Sequence, residues 1–222
     1  MIFLLTNDDG FDSEKINYTK QVLQKLGTVY TVAPRTEQSA KSMSLSIGGF
    51  NFEKVDEFNY KIDGTPVDCI SFAFNALNLK PDITVSGTNN GYNIGIDTRY
   101  SGTVGACLQA QYYDCPSIAL SADRRGNSIL EQELEKTLNY IIKNNLHSKD
   151  YTLNINFPRE SFGSTKGILL TDVHYFKFRF SPVFSGNKFE PHRSYIEDVN
   201  LPEGSDTWAY IKGYTSISKI KV

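Results

Sequence analysis

The chain has 222 residues with 23 basic and 25 acidic side chains, enough for one large domain or a domain with an extension, and enough to bury roughly 70% of its unfolded surface unaided. The absence of a long basic run argues against a dedicated nucleic-acid surface, and no segment approaches the ~20 apolar residues of a membrane span. Cys69, Cys107 and Cys115 have no metal-finger spacing and read as reduced, buried thiols; with Asp8 and Asp9 interrupting the apolar N-terminus too early for a signal peptide, a cytoplasmic location is expected.

Ile2 to Leu5 is a short apolar run stopped by Thr6-Asn-Asp-Asp-Gly10. It predicts a strand buried on both faces of a parallel sheet, with Asp8 and Asp9 at its carboxyl end, where open α/β sheets bind ligands. Ser13 to Leu26 has helical spacing and Gly27 as its stop. Thr28 to Ala33 is β-branched and halted by Pro34, completing a βαβ unit. Pro34 to Met43 is a polar loop at the same sheet edge as the aspartates. Ser44 to Ile62 alternates, broken at Gly48 and Gly49, and predicts hairpin-like β structure. Thr65 caps and Pro66 opens a helix whose buried stripe is Val67, Ile70, Phe74 and Leu77.

Pro81 to Ser86 is a third parallel-type strand, followed by a loop from Gly87 to Asp97 with three asparagines and three glycines. A helix then runs from Ser101 to about Tyr113, with Val104, Cys107 and Leu108 inward. Ile118 to Ser121 is a small-residue strand. Ser128-x-x-Glu131 has capping-box form before a helix bearing Leu130, Leu134, Leu138, Ile141 and Ile142. Tyr151 to Phe157 is a strand ended by Pro158. From Gly167 the chain is strand-prone and aromatic, with helical periodicity only at Thr207 to Lys212 and a last strand over Gly213 to Ile220. This predicts an α/β core over residues 1–166 and a β-rich C-terminal extension over 167–222.

Two adjacent carboxylates repel unless a positive charge stands beside them. Asn-Asp-Asp-Gly is also ordinary turn chemistry, so the pair alone does not make a site. Ser39 and Asn89, from two more loops at the same edge, add hydroxyl and amide oxygens. Such hard donors suit Mg²⁺, Mn²⁺ or Ca²⁺ better than zinc or copper. Ser101-Gly102-Thr103 at a helix start is the natural anion site, with free N–H groups and no Cβ at Gly102; Asn93 can donate to the same anion. His147, His174 and His192 follow no ligand spacing, and capping or loop hydrogen bonds account for Asp68 and Asp97.

These motifs, with Gln38-Ser39, Gly64-Thr-Pro-Val-Asp-Cys69, Ser86-Gly-Thr-Asn89, Tyr100-Ser-Gly-Thr-Val-Gly-Ala106, Leu153-Asn-Ile-Asn-Phe-Pro158 and Gly213-Tyr-Thr-Ser-Ile-Ser218, resemble in order the SurE (survival protein E) family of metal-dependent 5′-nucleotidases. The resemblance implies a Rossmann-like three-layer core with a mostly parallel sheet and a β-rich tail. It implies hydrolysis of nucleoside 5′-monophosphates, with 3′-monophosphates as further substrates, and one divalent cation per subunit, Mg²⁺ or Mn²⁺, with Ca²⁺ able to stand in within crystals. Dimers or tetramers formed by tail exchange are also implied. Carried over by motif, Asp8, Asp9, Ser39 and Asn89 fall on metal-ligand positions, and Asn93, Ser101, Gly102 and Thr103 on the phosphate pocket. Ala40 replaces a frequent Gly, Thr88 a usual Ile, and Asn90 stands where larger or basic residues are common. The tail matches weakly between Tyr175 and Asp198.

The expected chemistry is phosphomonoester hydrolysis, with Asp8 and Asp9 as the catalytic pair, metal assistance to an attacking water, and the Ser101 helix start stabilising the equatorial oxygens. Direct attack by water ranks above an aspartyl-phosphate, because adjacent aspartates do not face one way. Of two rivals, a phosphoacceptor domain would need a third Asp after strand three, where Ser86 and Gly87 stand. The other is a non-catalytic nucleotide-binding or assembly protein using the same pocket.

Overall fold

The computed structural model describes residues 1–176, 179–194 and 201–221. Strand β1 (Ile2–Thr6) alternates its apolar side chains between two cores: Phe3 and Leu5 enter one, Leu4 the other. Helices α1 (Glu14–Gln24) and α4 (Ser128–Lys143) cover the first face with Ile16, Leu23, Leu134 and Leu138. Helices α2 (Pro66–Asn75) and α3 (Gly102–Tyr112) cover the second with Ile70, Phe72, Ala106 and Ala110. The result is a three-layer α/β arrangement. Leu4 and Leu5 are wholly buried, and burying each contributes about 2 kcal/mol.

The remaining sheet strands are β2 (Thr28–Pro34), β3 (Phe52–Lys54), β4 (Asn59–Ile62), β5 (Ile83–Asn90), β6 (Ser117–Ala122), β7 (Thr152–Asn156), β8 (Ile168–Thr171) and β11 (Thr215–Ile220). Among the described residues the sheet order is β3-β4-β2-β1-β5-β6-β7-β11-β8. The run from β4 to β7 is parallel, while β3 and β11 join it antiparallel. From β1 the chain moves outward to β2 and β4, then returns to lay β5 on the other side of β1. The crevice between the carboxyl ends of β1 and β5 is therefore the topological switch point, where ligands bind in such sheets.

Four local expectations are corrected. The hairpin expected over Ser44 to Ile62 is confined to β3 and β4. Residues 44–50 are irregular because Ser46 donates through its N–H (2.9 Å) and hydroxyl (2.6 Å) to Asp68, and Thr65 Oγ1 donates to the Ser44 carbonyl (2.6 Å), so their polar groups are met by the start of α2 instead of a ladder. The buried stripe of α2 runs through Val67, Ile70 and Phe72, since Phe72 packs against Phe50, Phe52 and Tyr60; Phe74, stacked on Tyr113, and Leu77, beyond the last residue of α2, are only half-buried. The third strand extends to Asn90 through an irregularity between Ser86 and Asn89. The capping box at Ser128 is absent. Asn127 is the N-cap without a side-chain bond, and Glu160 takes its place, accepting from the Ser128 hydroxyl and the Ile129 N–H.

In the tail, β8 and β11 belong to the main sheet, with β11 beside β7. Helix α5 (Asp206–Lys212) lies between them in sequence. Strands β9 (Arg179–Ser185) and β10 (Lys188–Ser194) form a separate antiparallel hairpin on which Val183, Phe184 and Phe189 are exposed. Of the weakly matched stretch from Tyr175 to Asp198, residues 177–178 and 195–198 lie outside the described residues.

Candidate active site

The turn after β1 is built by Asn7, whose buried amide donates to the Gly10 carbonyl (2.8 Å) and to Ser13 Oγ (3.0 Å). Gly10 adopts φ +101°, open to a residue without Cβ. The Gln38 N–H donates to the Asp8 carbonyl and the Phe11 N–H to the Pro34 carbonyl, both at 2.7 Å, clamping the turn to the loop after β2. That loop is in turn tied to the segment just before α3 through the Ser42 N–H on the Tyr100 carbonyl (3.1 Å) and the Ser42 hydroxyl on the Arg99 carbonyl (2.8 Å).

Asp8 is 3% exposed and seated at the start of α3. Its Oδ1 accepts from Thr103 Oγ1 at 2.6 Å and its Oδ2 from the Thr103 N–H at 3.3 Å. Gly102 allows this approach, because a Cβ there would stand 3.1 Å from Asp8 Cβ and 3.3 Å from Pro66 Cγ. Burial raises the Asp8 carboxyl to about 6, against the lowering hydrogen bond from Thr103, with the Asp9 charge pushing the same way as burial. Asp9 Oδ2 accepts from the Asn90 N–H at 2.8 Å. Burial also raises its carboxyl, and Glu37 adds to that, while Lys15 and Arg124 oppose it. Neither aspartate has an ion-pair partner among the described residues. A buried carboxylate without a cation is electrostatically incomplete.

Asp8, Ser39, Asn89, Asn93 and Ser101 line one cavity of about 510 Å³, together with Tyr92, Asp97, Tyr100, Asp123, Arg124 and Arg125. Asp9 lines an adjoining cavity of about 240 Å³ with Lys15 and Asn90, and Arg124 and Arg125 line both. Gly102 and Thr103 are buried behind Asp8. The sequence-expected residues are thus assembled at one sheet edge but divided between two cavities and the wall behind them.

Their side chains are already engaged in part. Ser39 is exposed and donates to Glu37 (2.7 Å). Asn89 directs its amide nitrogen to the Gly91 carbonyl (3.1 Å), leaving Oδ1 as an oxygen donor. Ser101 Oγ caps α3 by accepting from the Val104 N–H (3.1 Å), and its own hydrogen is left to donate. Asn93 donates to Ser121 Oγ (2.9 Å), using one of two amide hydrogens, and its backbone is held by Asn154 and Asn156. The anion seated at the start of α3 is the Asp8 carboxylate itself.

Sequence reasoning missed Lys15, Tyr92, Asp123, Arg124 and Arg125. Lys15 is buried and donates to Asn90 Oδ1 (2.7 Å) and the Asp123 carbonyl, joining the ends of β5 and β6. Burial pushes the Asp123 carboxyl up, but the Arg125 side chain and N–H and the Glu160 N–H outweigh it and hold it at about 2. The signal was present: Asp123-Arg-Arg-Gly126 follows β6 at the same carboxyl edge. Asp206 was also missed. Wholly buried at the first turn of α5, it accepts from the Gly95 N–H (2.7 Å) and the His174 N–H (3.0 Å), fastening the Asn93 loop to the tail.

Among the described residues, no group of three or more His, Cys, Asp or Glu side chains converges as a metal site. A cation here would be held by the two carboxylates with hydroxyl and amide oxygens, and that donor set, around an uncompensated Asp8, fits a hard divalent ion.

The family model described as survival protein SurE matches residues 3–179. The chain is 35% identical to the 5′-nucleotidase SurE of Aquifex aeolicus over 98% of its length and 91% of that protein's. It is 33% identical to the 5′-nucleotidase SurE of Alkaliphilus metalliredigens over 99% and 92%. The crystal structure of the SurE protein from Aquifex aeolicus superposes with a TM-score of 0.85, covering 100% of this chain and 93% of that one at 33% identity. The chain belongs to the SurE family.

Proposed function

We infer that this protein is a 5′-nucleotidase, a divalent-metal-dependent phosphomonoesterase that releases phosphate from nucleoside 5′-monophosphates, with 3′-monophosphates as further substrates. The observation that carries this reading is Asp8: a buried carboxylate with no cationic partner among the described residues, lining a cavity with the oxygen donors Ser39 and Asn89. The names of the relatives supply the substrate class. A cavity of about 510 Å³ also suits a mononucleotide.

In this reading Asp8, Asp9, Ser39 and Asn89 hold one Mg²⁺ or Mn²⁺. When bound, the cation supplies Lewis-acid charge at the phosphoryl oxygens and an activated water. Asp8 must be ionised to serve as ligand, and Thr103 favours that form by donating to it from hydroxyl and backbone. Asp9 is oriented by the Asn90 N–H. The Ser101 hydroxyl and the Gly102 N–H, the first-turn donor of α3 that neither Asp8 nor the Ser101 cap takes up, stabilise the equatorial oxygens of the phosphoryl group, with the second Asn93 amide hydrogen beside them. Water attacks directly. The hairpin β9–β10, with Phe184 and Phe189 exposed 5.5 Å apart, is the proposed exchanged segment of a homodimer or tetramer. We assign the protein to the cytoplasm, as a core over residues 1–166 with an oligomerising extension over 167–222 that returns β8 and β11 to the core sheet.

The test is phosphate release from a panel of nucleoside 5′- and 3′-monophosphates with Mn²⁺ or Mg²⁺, and with chelator. Turnover that stops on chelation is expected. Turnover indifferent to chelator would overturn the metal assignment, and nucleotide binding without phosphate release would favour the non-catalytic reading.

A further inference from the structure

Three basic side chains stand around the carboxyl ends of β5 and β6, and they are not equivalent. Lys15 is buried and engaged with Asn90 Oδ1 and the Asp123 carbonyl. Arg125 is committed to Asp123, with Nε 3.2 Å from Oδ1. Arg124 is exposed and forms no ion pair among the described residues. Its Nε donates to the Asn90 carbonyl at 2.7 Å, which sets the plane of the guanidinium. That plane lies against Gly91, where a Cβ would come within 3.0 Å of Nε and 3.3 Å of Nη2.

Arg124 lines both the Asp8 and the Asp9 cavities, and with Nε engaged its two Nη groups are the donors that remain. Asn90 connects the two ends of this arrangement: its carbonyl holds Arg124, and its N–H binds Asp9 Oδ2 at 2.8 Å. The guanidinium is thus one residue away from the candidate metal-holding carboxylate. A phosphomonoester approaching Asp8 carries nearly two negative charges and also meets Asp97 and Asp123 on the cavity walls. A planar fork fixed at Nε matches two phosphate oxygens and has already lost much of its side-chain freedom.

Resting on the phosphatase reading above, we propose that Arg124 is a substrate-contacting residue whose Nη edge binds oxygens of the phosphoryl group. It would contribute charge at the reacting group from a loop that the aspartate, serine and asparagine motifs do not include.

The test compares wild type with Arg124→Gln and Arg124→Lys in Mn²⁺-loaded protein, titrating inorganic phosphate by calorimetry and, separately, Mn²⁺ into metal-free protein. Arg124→Gln is expected to weaken phosphate binding by roughly tenfold or more, with Arg124→Lys intermediate because it keeps the charge and loses the fork. Mn²⁺ affinity should stay close to wild type, which separates anion contact from support of the Asn89–Gly91 loop. Phosphate affinity of Arg124→Gln close to wild type would overturn the proposal. If only KM for the nucleotide then rose, Arg124 would be assigned to the nucleoside; if only Mn²⁺ binding weakened, to loop support. Wild-type phosphate release in the same preparation tests the phosphatase reading by itself.

Discussion

Asp8→Asn is expected to stabilise the metal-free protein at pH 8 while abolishing turnover. The Asp8 carboxyl lies at about 6 in the fold against an ordinary value of 3.8, chiefly because burial disfavours its charge. A folded-state value raised in this way adds stability that is complete below about pH 4 and is lost as pH rises through about 6. The displacement from 3.8 to about 6, at 1.36 kcal/mol per unit, puts the stability lost by pH 8 at about 3 kcal/mol. Asparagine escapes this loss and keeps an acceptor for the Thr103 hydroxyl. It also turns an NH₂ toward the Thr103 N–H, costing about 1 kcal/mol. A net gain of about 2 kcal/mol corresponds to a rise of roughly 4–8 °C in Tm for a chain of this size. Scanning calorimetry in chelator across pH 4.5 to 8 reads it as a difference between variant and wild type, in which titrating groups remote from Asp8 cancel. The gain should be present at pH 8 and disappear or reverse at pH 4.5. A Tm difference constant across that range, or a variant less stable at pH 8, would refute the reasoning.

Three further substitutions probe the supports of the site. Gly102→Ala places a Cβ 3.1 Å from Asp8 Cβ and 3.2 Å from its Oδ2; kcat/KM should fall at least roughly tenfold through displacement of the carboxylate, with little loss of Tm since alanine suits a helix, and wild-type kcat/KM would count against that contact. Ala40 holds φ 60°, in the left-handed region, so Ala40→Gly should stabilise by about 0.5–1 kcal/mol, seen as a small rise in Tm; an unchanged or lower midpoint would show the strain to be absent. Asp206→Asn replaces one of two accepting oxygens that serve the Gly95, His174 and Thr207 N–H groups. It should cost about 2 kcal/mol and raise KM by loosening the Asn93 loop, and an unaltered KM in a folded variant would dissociate tail from site.

How much of this could be read from residues alone differs by the range of the interaction. The apolar run of β1, the Thr65-Pro66 helix start and the polar knot after β1 are local patterns, and the structure keeps them. The 44–50 stretch was misread because its alternation is real, yet its polar groups are satisfied by Asp68, about twenty residues later. Glu160 likewise replaces the Ser128 cap from a distance. Asp206 acts on Gly95 across more than a hundred residues, and no periodicity reports such a bond. Asn154 and Asn156 occupy an intermediate case. Two buried amides on one face of β7 could have signalled a backbone needing partners, and that backbone is Asn93.

The region from Ser101 to Thr103 shows most clearly what the fold adds. As sequence it is a helix start suited to an anion. As structure it already holds one, the Asp8 carboxylate, through the Thr103 hydroxyl and N–H. In the proposed function, metal ligand and phosphate cradle therefore form one electrostatic unit. The dipole and donors of α3 that favour a phosphoryl oxygen also favour ionised Asp8, and the burial that raises the Asp8 carboxyl works against both. A cation held by Asp8 would relieve that opposition by compensating the carboxylate, with the Ser101 hydroxyl and the Gly102 N–H left for the substrate. Metal affinity and phosphate affinity should accordingly rise together as pH passes through about 6, the value that burial sets for Asp8.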